Sequence, residues 1–139
     1  MIFRKMKVSE IDIVRKIYFE SFETRVVGNL EYTADNIYVV VNDDDIVGMC
    51  MVNYIDHIFS GVRTLYLNDV CVAKDFRRHG VATFMLDEIT KMAISSGVNY
   101  IMLTSSDKRC GATGLYNKSG FSRYDTNAVS YTHLTLPTI

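Results

Sequence analysis

The chain has 139 residues, 48% of them hydrophobic, and a net charge of −1 from 15 basic and 16 acidic side chains. That length supports one domain with a real core, and that composition is too apolar for disorder. The balanced charge argues against a nucleic-acid partner, and no apolar run approaches the ~20 residues of a membrane span.

Residues 1–7 lack the apolar core of a secretory signal. Three cysteines, Cys50, Cys71 and Cys110, lie far apart without metal-ligand spacing, so they read as small hydrophobes in a reducing compartment. A cytoplasmic chain without a metal is expected. In chain order, residues 2–6 read as a first strand. Ser9 then looks like a helix N-cap, with Asp12 three residues on in place of the usual Glu or Gln. Ile11, Val14, Tyr18 and Phe22 recur at helical spacing, which predicts about three turns. Residues 24–36, broken by Gly28, read as an irregular second helix or a loop.

Two β-rich runs flank Asn42, Asp43, Asp44 and Asp45, which is hairpin chemistry. The aspartates lack the spaced ligands and the glycine of a calcium loop. Residues 58–61 read as a loop and 64–73 as a long strand. After Gly80, the residues Val81, Met85, Leu86, Ile89, Met92 and Ala93 form one apolar helical stripe. Gly97 stands where a C-terminal cap belongs. Residues 98–105 are nearly all apolar and predict a central strand covered on both faces. A short helix over 112–118 ends at Gly120. The strand–helix–strand unit over 64–105 implies a parallel pair. The fold class is therefore α/β (α+β), one domain with a mixed central sheet flanked by helices.

The last residues differ in kind. From Val129 onward the chain back-translates into a string that resembles a transposon-end adaptor used in sequencing libraries, with Ala128 fitting the preceding codon. Residues 129–139 are therefore expected to be a non-native tail. Residues 1–128 are then a C-terminally truncated domain that lacks its native last strand. The edge so exposed would invite pairing with a second copy, a possible homodimer, and the fragment could be inactive even where its parent is an enzyme.

The candidate site lies in "DFRRHGVATFM", residues 75–85. A strand ends, a basic loop follows, and a helix opens at Gly80. The first turn of a helix carries unpaired N–H groups and a positive dipole end, which together bind phosphate. Glycine lets the backbone approach closely. Neither a G-x-x-x-x-G-K-[ST] loop nor a G-x-G-x-x-G fingerprint is present.

Arg77, Arg78, His79, Gly80, Val81 and Ala82 match the pattern Q/R-x-x-G-x-G/A. They follow an "NDVCV" strand and open an amphipathic helix, and "GLYNKSGF" follows at 114–121. This combination, over about residues 2–121, resembles the GNAT superfamily of acyl-CoA N-acyltransferases. The resemblance implies that backbone N–H groups from Arg78 to Thr83 hold the pyrophosphate of acetyl-CoA, with Arg77 adding attraction. It implies that Val70, Cys71 and Val72 pair with the pantetheine arm and that a backbone N–H there polarises the thioester carbonyl. It makes Tyr116 the general acid toward the departing thiolate, and it leaves Cys71 with no need to be a nucleophile. Arg109 stands where relatives often carry a pantetheine-bonding asparagine, and Thr104 where some carry a glutamate base. Asp69 is then the candidate base, with Asn68, Tyr66, Asp56 and His57 as further polar residues near strand ends. Strand alternation would let at most one of Asn68 and Asp69 face the cleft. The implied reaction moves an acetyl group from acetyl-CoA to a primary amine of a small molecule or peptide by direct attack in a ternary complex. The alternative is a non-catalytic acyl-CoA-binding or sensor domain of the same fold.

Overall fold

The computed structural model describes residues 1–22, 35–104, 110–124 and 129. Asp43 and Asp44 both adopt left-handed backbone angles, with φ of 49° and 69°. A two-residue turn with both φ positive matches the twist of the strands it joins. Through it, β2 (Ile37–Asn42) and β3 (Asp45–His57) pair antiparallel. β1 (Ile2–Lys5) adds antiparallel to β2, and β4 (Val62–Val72) adds antiparallel to β3. β5 (Tyr100–Leu103) lies parallel to β4, so the sheet is mixed and runs β1-β2-β3-β4-β5.

Helices cover both faces. α1 (Ile11–Phe22) buries Val14 and Ile17 against a cluster that includes Met6, Ile37, Val39, Met49 and Cys71. α2 (Val81–Ser95) makes the crossover from β4 to β5 and covers the other face, over Val40, Val47, Cys50, Val52, Leu65 and Leu67. α3 (Cys110–Lys118) adds Tyr116 to that second cluster. The apolar stripe read from the sequence is the buried face of α2: Val81, Met85, Leu86, Ile89 and Ala93 are all inside. Burying a large apolar side chain contributes about 1.5–3 kcal/mol, against about 1 kcal/mol for a good N-cap. Packing therefore holds α2, and its N-terminus needs no capping side chain. At the other end Gly97, with φ of 68°, lets Val98 N–H reach the Ala93 carbonyl at 3.1 Å. Gly48 permits the close approach of α2 to the sheet. A Cβ there would stand 3.0 Å from Met85 Cε, 3.1 Å from Val81 Cγ1 and 3.2 Å from the Cys71 carbonyl oxygen.

Two sequence expectations need correction. Ser9 does not cap α1. A single 3₁₀ turn, Val8–Glu10, precedes the helix, and its organiser is Glu10. The Glu10 carboxylate accepts the Lys7 N–H at 2.7 Å and both arms of the Arg4 guanidinium at 2.7 and 2.8 Å. A charged, bidentate partner outweighs what a serine hydroxyl offers. These bonds, that from Arg4 foremost, pull the Glu10 pKa down to about 2. The second correction concerns β5, which is the edge of the described sheet rather than its centre. Ile101 and Leu103 pack toward α2, but Tyr100 is 61% exposed. Of the region read as a second helix or loop, residues 23–34 lie outside the described residues.

Candidate functional site

β4 runs past its parallel neighbour. The pairing with β5 ends at Leu67 opposite Leu103, while β4 continues through Asn68 to Val72. Among the described residues, no strand pairs with β4 on that side beyond Leu67. On its β3 side the register slips. Asn68 sits opposite Met51 and Cys71 opposite Met49, so Asp69 and Val70 together oppose Cys50. This is a β-bulge, which inserts a residue and bends its strand. Asp69, in the bulge, carries a positive φ of 54°.

The bulge changes which residues face which layer. Leu65 and Leu67 pack on the α2 side before it. After it, Val70 and Val72 lie on the α2 side and Cys71 is buried on the α1 side. The expectation of simple alternation through Asn68 and Asp69 is thus overturned, because the extra residue resets the period. The sequence carried a sign of it: apolar positions move from odd to even numbers across the polar pair Asn68 and Asp69. The Cys71 thiol donates to the Asp69 carbonyl at 3.2 Å. The Asn68 Oδ1 is buried without a hydrogen-bond partner among the described residues.

The loop after β4 is fastened at several points. Ala73 N–H bonds the Val47 carbonyl at 2.8 Å. The 3₁₀ turn Lys74–Phe76 follows, and Lys74 N–H reaches the Glu20 carboxylate at 3.3 Å. Arg77 Nε donates to the Val72 carbonyl at 3.2 Å, and its Nη2 lies 3.5 Å from Ser21 Oγ. Arg77 thus spends its guanidinium on tying the end of β4 to the end of α1. Arg78 and His79 are exposed, and Arg78 and Gly80 take positive φ of 64° and 78°. Gly80 is the N-cap of α2 and offers no side chain. The helical ladder begins with Phe84 N–H to the Gly80 carbonyl at 3.0 Å. The N–H groups of Val81, Ala82 and Thr83 precede that bond, and they form the anion-attracting first turn.

Tyr116 lies on the α2 side, 9% exposed, in the cluster that holds Cys50 and Leu67, with Val70 packed against it. Its ring meets Phe121 edge-on at 5.9 Å between centroids, and Phe121 N–H bonds the Tyr116 carbonyl at 3.0 Å. The sequence pair "GLYNKSGF" is thereby one packed unit. The α1 side contributes a residue that the sequence reading used only as core, Tyr18. Burial first, and then the neighbouring Asp69 and Cys71, push its phenol pKa up. Nothing local in the sequence could have revealed that proximity, since α1 and β4 meet only in the folded chain.

Other sequence candidates are not brought here. Asp56 sits opposite Arg63 and pairs with it at 3.2 Å, and His57 follows at the exposed end of the β3–β4 hairpin. Five residues of β3 separate Asp56 from Met51, roughly 17 Å of strand, too far for proton transfer at the bulge. Tyr66 is half-buried within the paired part of β4, and Thr104 is exposed just beyond β5. Arg109 lies outside the described residues. Among the described residues no three metal-ligating side chains converge, and no helix is long and apolar enough to cross a membrane.

The family model described as "Acetyltransferase (GNAT) family" matches residues 7–121. No curated protein matches the chain. Among solved structures, an aminoglycoside acetyltransferase from an uncultured soil metagenomic sample superposes with a TM-score of 0.83 at 12% identity, over 96% of each chain. A putative acetyltransferase from Agrobacterium tumefaciens gives 0.81 at 10% identity, over 95% of this chain and 100% of that one. Glucosamine-6-phosphate N-acetyltransferase from Arabidopsis thaliana gives 0.76 at 17% identity, over 95% and 98%. At such identities the likeness is one of fold.

Proposed function

Because the chain belongs to the acetyltransferase (GNAT) family, we propose that it moves an acetyl group from acetyl-CoA to a primary amine of a small molecule or peptide, by direct attack in a ternary complex. One observation carries the reading. The first turn of α2, with glycine in a left-handed conformation at its N-cap, stands at the end of β4, a strand that runs on past its described pairing with β5. A long ligand with a phosphate-rich end and an amide-bearing arm fits that pair of features. The N–H groups from Arg78 to Thr83 would hold the pyrophosphate. Val70, Cys71 and Val72, beyond the described pairing with β5, would pair with the pantetheine arm. Arg77, engaged with Val72 and Ser21, shapes this loop rather than contacting phosphate directly.

Acetyl-CoA supplies an acyl carbon activated as a thioester and a thiolate leaving group. The protein supplies the proton handling. An acceptor amine with a pKa near ~10 is mostly protonated at neutral pH and must lose a proton to attack. Asp69, in the bulge beside Tyr18, would take that proton directly or through water. As the C–N bond forms and the C–S bond breaks, the Tyr116 hydroxyl would give its proton to the sulfur. Its place in the α2-side cluster with Val70 supports this role. The soil aminoglycoside acetyltransferase and the Arabidopsis glucosamine-6-phosphate enzyme are named for amine-bearing acceptors, which supports an amine here.

The test is release of free CoA thiol from acetyl-CoA across a panel of amines, beside calorimetric binding of acetyl-CoA. Turnover with any amine supports the enzyme. Binding without thiol release replaces it with an acyl-CoA-binding domain, and no binding overturns both. Tyr116→Phe keeps the ring that packs on Phe121 and removes the hydroxyl that would give the proton. It is expected to lower kcat about 100-fold with acetyl-CoA affinity unchanged.

A further inference from the structure

The bulge in β4 is held by a side chain of its own strand. Cys71 is 2% exposed and sits on the α1 side beside Met49 and Val39. From there its thiol donates to the Asp69 carbonyl oxygen at 3.2 Å. The described chain contains no cis peptide bond. A planar trans peptide directs its N–H opposite to its carbonyl. The Asp69 carbonyl and the Val70 N–H belong to one such peptide. A bond that holds that carbonyl to the thiol therefore also fixes the direction of the Val70 N–H. Asp69 adopts a left-handed φ that costs a non-glycine residue roughly 1 kcal/mol or more, so the peptide needs a restraint to stay in it. The described β5 pairing ends at Leu67, one residue before Asn68 and the bulge.

We infer that Cys71 is a positioning residue for acetyl transfer: its thiol pins the Asp69–Val70 peptide so that the Val70 N–H is presented to the thioester carbonyl oxygen of acetyl-CoA. The inference rests on the acetyl-CoA reading above. It gives the cysteine a role that uses the proton on its sulfur, in contrast to an acyl-cysteine route, which would use the bare thiolate. A donor aimed before the substrate arrives costs no reorganisation when charge develops on that oxygen.

The experiment compares the unmodified protein with Cys71→Ser, which keeps a donor, and Cys71→Val, which keeps the bulk without one. Cys71→Ala serves as a second donor-free variant should valine prevent folding. Each is mixed with acetyl-CoA labelled with carbon-13 at the thioester carbonyl. The readouts are the carbonyl resonance, the acetyl-CoA Kd, and kcat and KM for an active amine. The unmodified protein and Cys71→Ser should displace the carbonyl resonance on binding. The donor-free variant should lose that displacement and about 10- to 100-fold in kcat, with the Kd within about twofold because the Gly80 loop is untouched. A folded donor-free variant that keeps the displacement and kcat overturns the inference. So does Cys71→Ser behaving like Cys71→Val, which would make packing the cause. An unmodified protein that binds acetyl-CoA without moving the resonance overturns the inference alone. One that binds no acetyl-CoA overturns the functional reading and the inference with it.

Discussion

At Glu10 one carboxylate does what a capping serine was expected to do, and it does so with a pH dependence. Its pKa lies at about 2 instead of 4.5, chiefly through the bond from Arg4. A carboxylate with a depressed folded-state pKa stabilises the fold fully above pH ~4.5 and loses that contribution as pH falls toward ~2. Allowing for partial solvent exposure of the pair, about 1–2 kcal/mol is at stake. Glu10→Gln should lower urea-unfolding stability by that amount at pH 7 and by almost nothing at pH 2. Gly80 answers to a different measurement. Its φ of 78° suits glycine, yet aspartate tolerates that region better than most and is itself a favoured N-cap. Gly80→Asp should therefore leave thermal stability within about 1 kcal/mol while its carboxylate occupies the first-turn N–H groups. Acetyl-CoA affinity by calorimetry should fall roughly tenfold or more.

Among the elements, the contact of α2 with the sheet decides where the anion-binding turn sits. It depends on Gly48, since an added Cβ would press on Met85, Val81 and the Cys71 carbonyl. Overpacking of this kind typically costs about 1–3 kcal/mol. Gly48→Ala should lower the midpoint of thermal unfolding and, by shifting Val81, weaken acetyl-CoA binding as well. A surface alanine substitution of equal destabilising effect would leave binding alone. Legibility in the sequence divides at the same level. The hairpin at Asp43 and Asp44, the stripe of α2 and its Gly97 cap depend on residues close in the chain, so periodicity and turn chemistry reveal them. The Gly80 turn was legible for the same reason. The edge position of β5 and the proximity of Tyr18 to Asp69 depend on partners more than thirty residues away, and the bulge, hinted at by the shift of apolar positions, depends on the register with β3. Apolar character alone cannot distinguish a central strand from an edge strand backed by one helix. Family resemblance supplied Tyr116 from its spacing to Gly120 and Phe121, and folding adds that its ring is already packed on Phe121.

Over the whole molecule, the residues proposed for the two halves of the reaction lie on opposite faces of one strand. Cys71 and Tyr18 are on the α1 side, Tyr116 and Val70 on the α2 side, and the backbone between Asn68 and Val72 faces both. Arg77, Glu20 and Ser21 then couple the end of α1 to the loop after β4, so an acceptor site built on α1 would share its foundation with the loop proposed to hold acetyl-CoA. The parallel pairing of β4 with β5 has a consequence for the order in which this arrangement forms and opens. β2, β3 and β4 meet through short connections, whereas Leu67 and Leu103 meet only after α2 has been laid between them. Long-range pairings cost more chain entropy and form later. They are also among the first to open when contacts are few. In hydrogen–deuterium exchange the amides of β5 should exchange well before those of β3, at a rate slowed by added acetyl-CoA. Equal protection in the two strands would mean that the cleft opens only with the whole fold. A ligand seated beside β5 would then brace the edge of the described sheet that opens first.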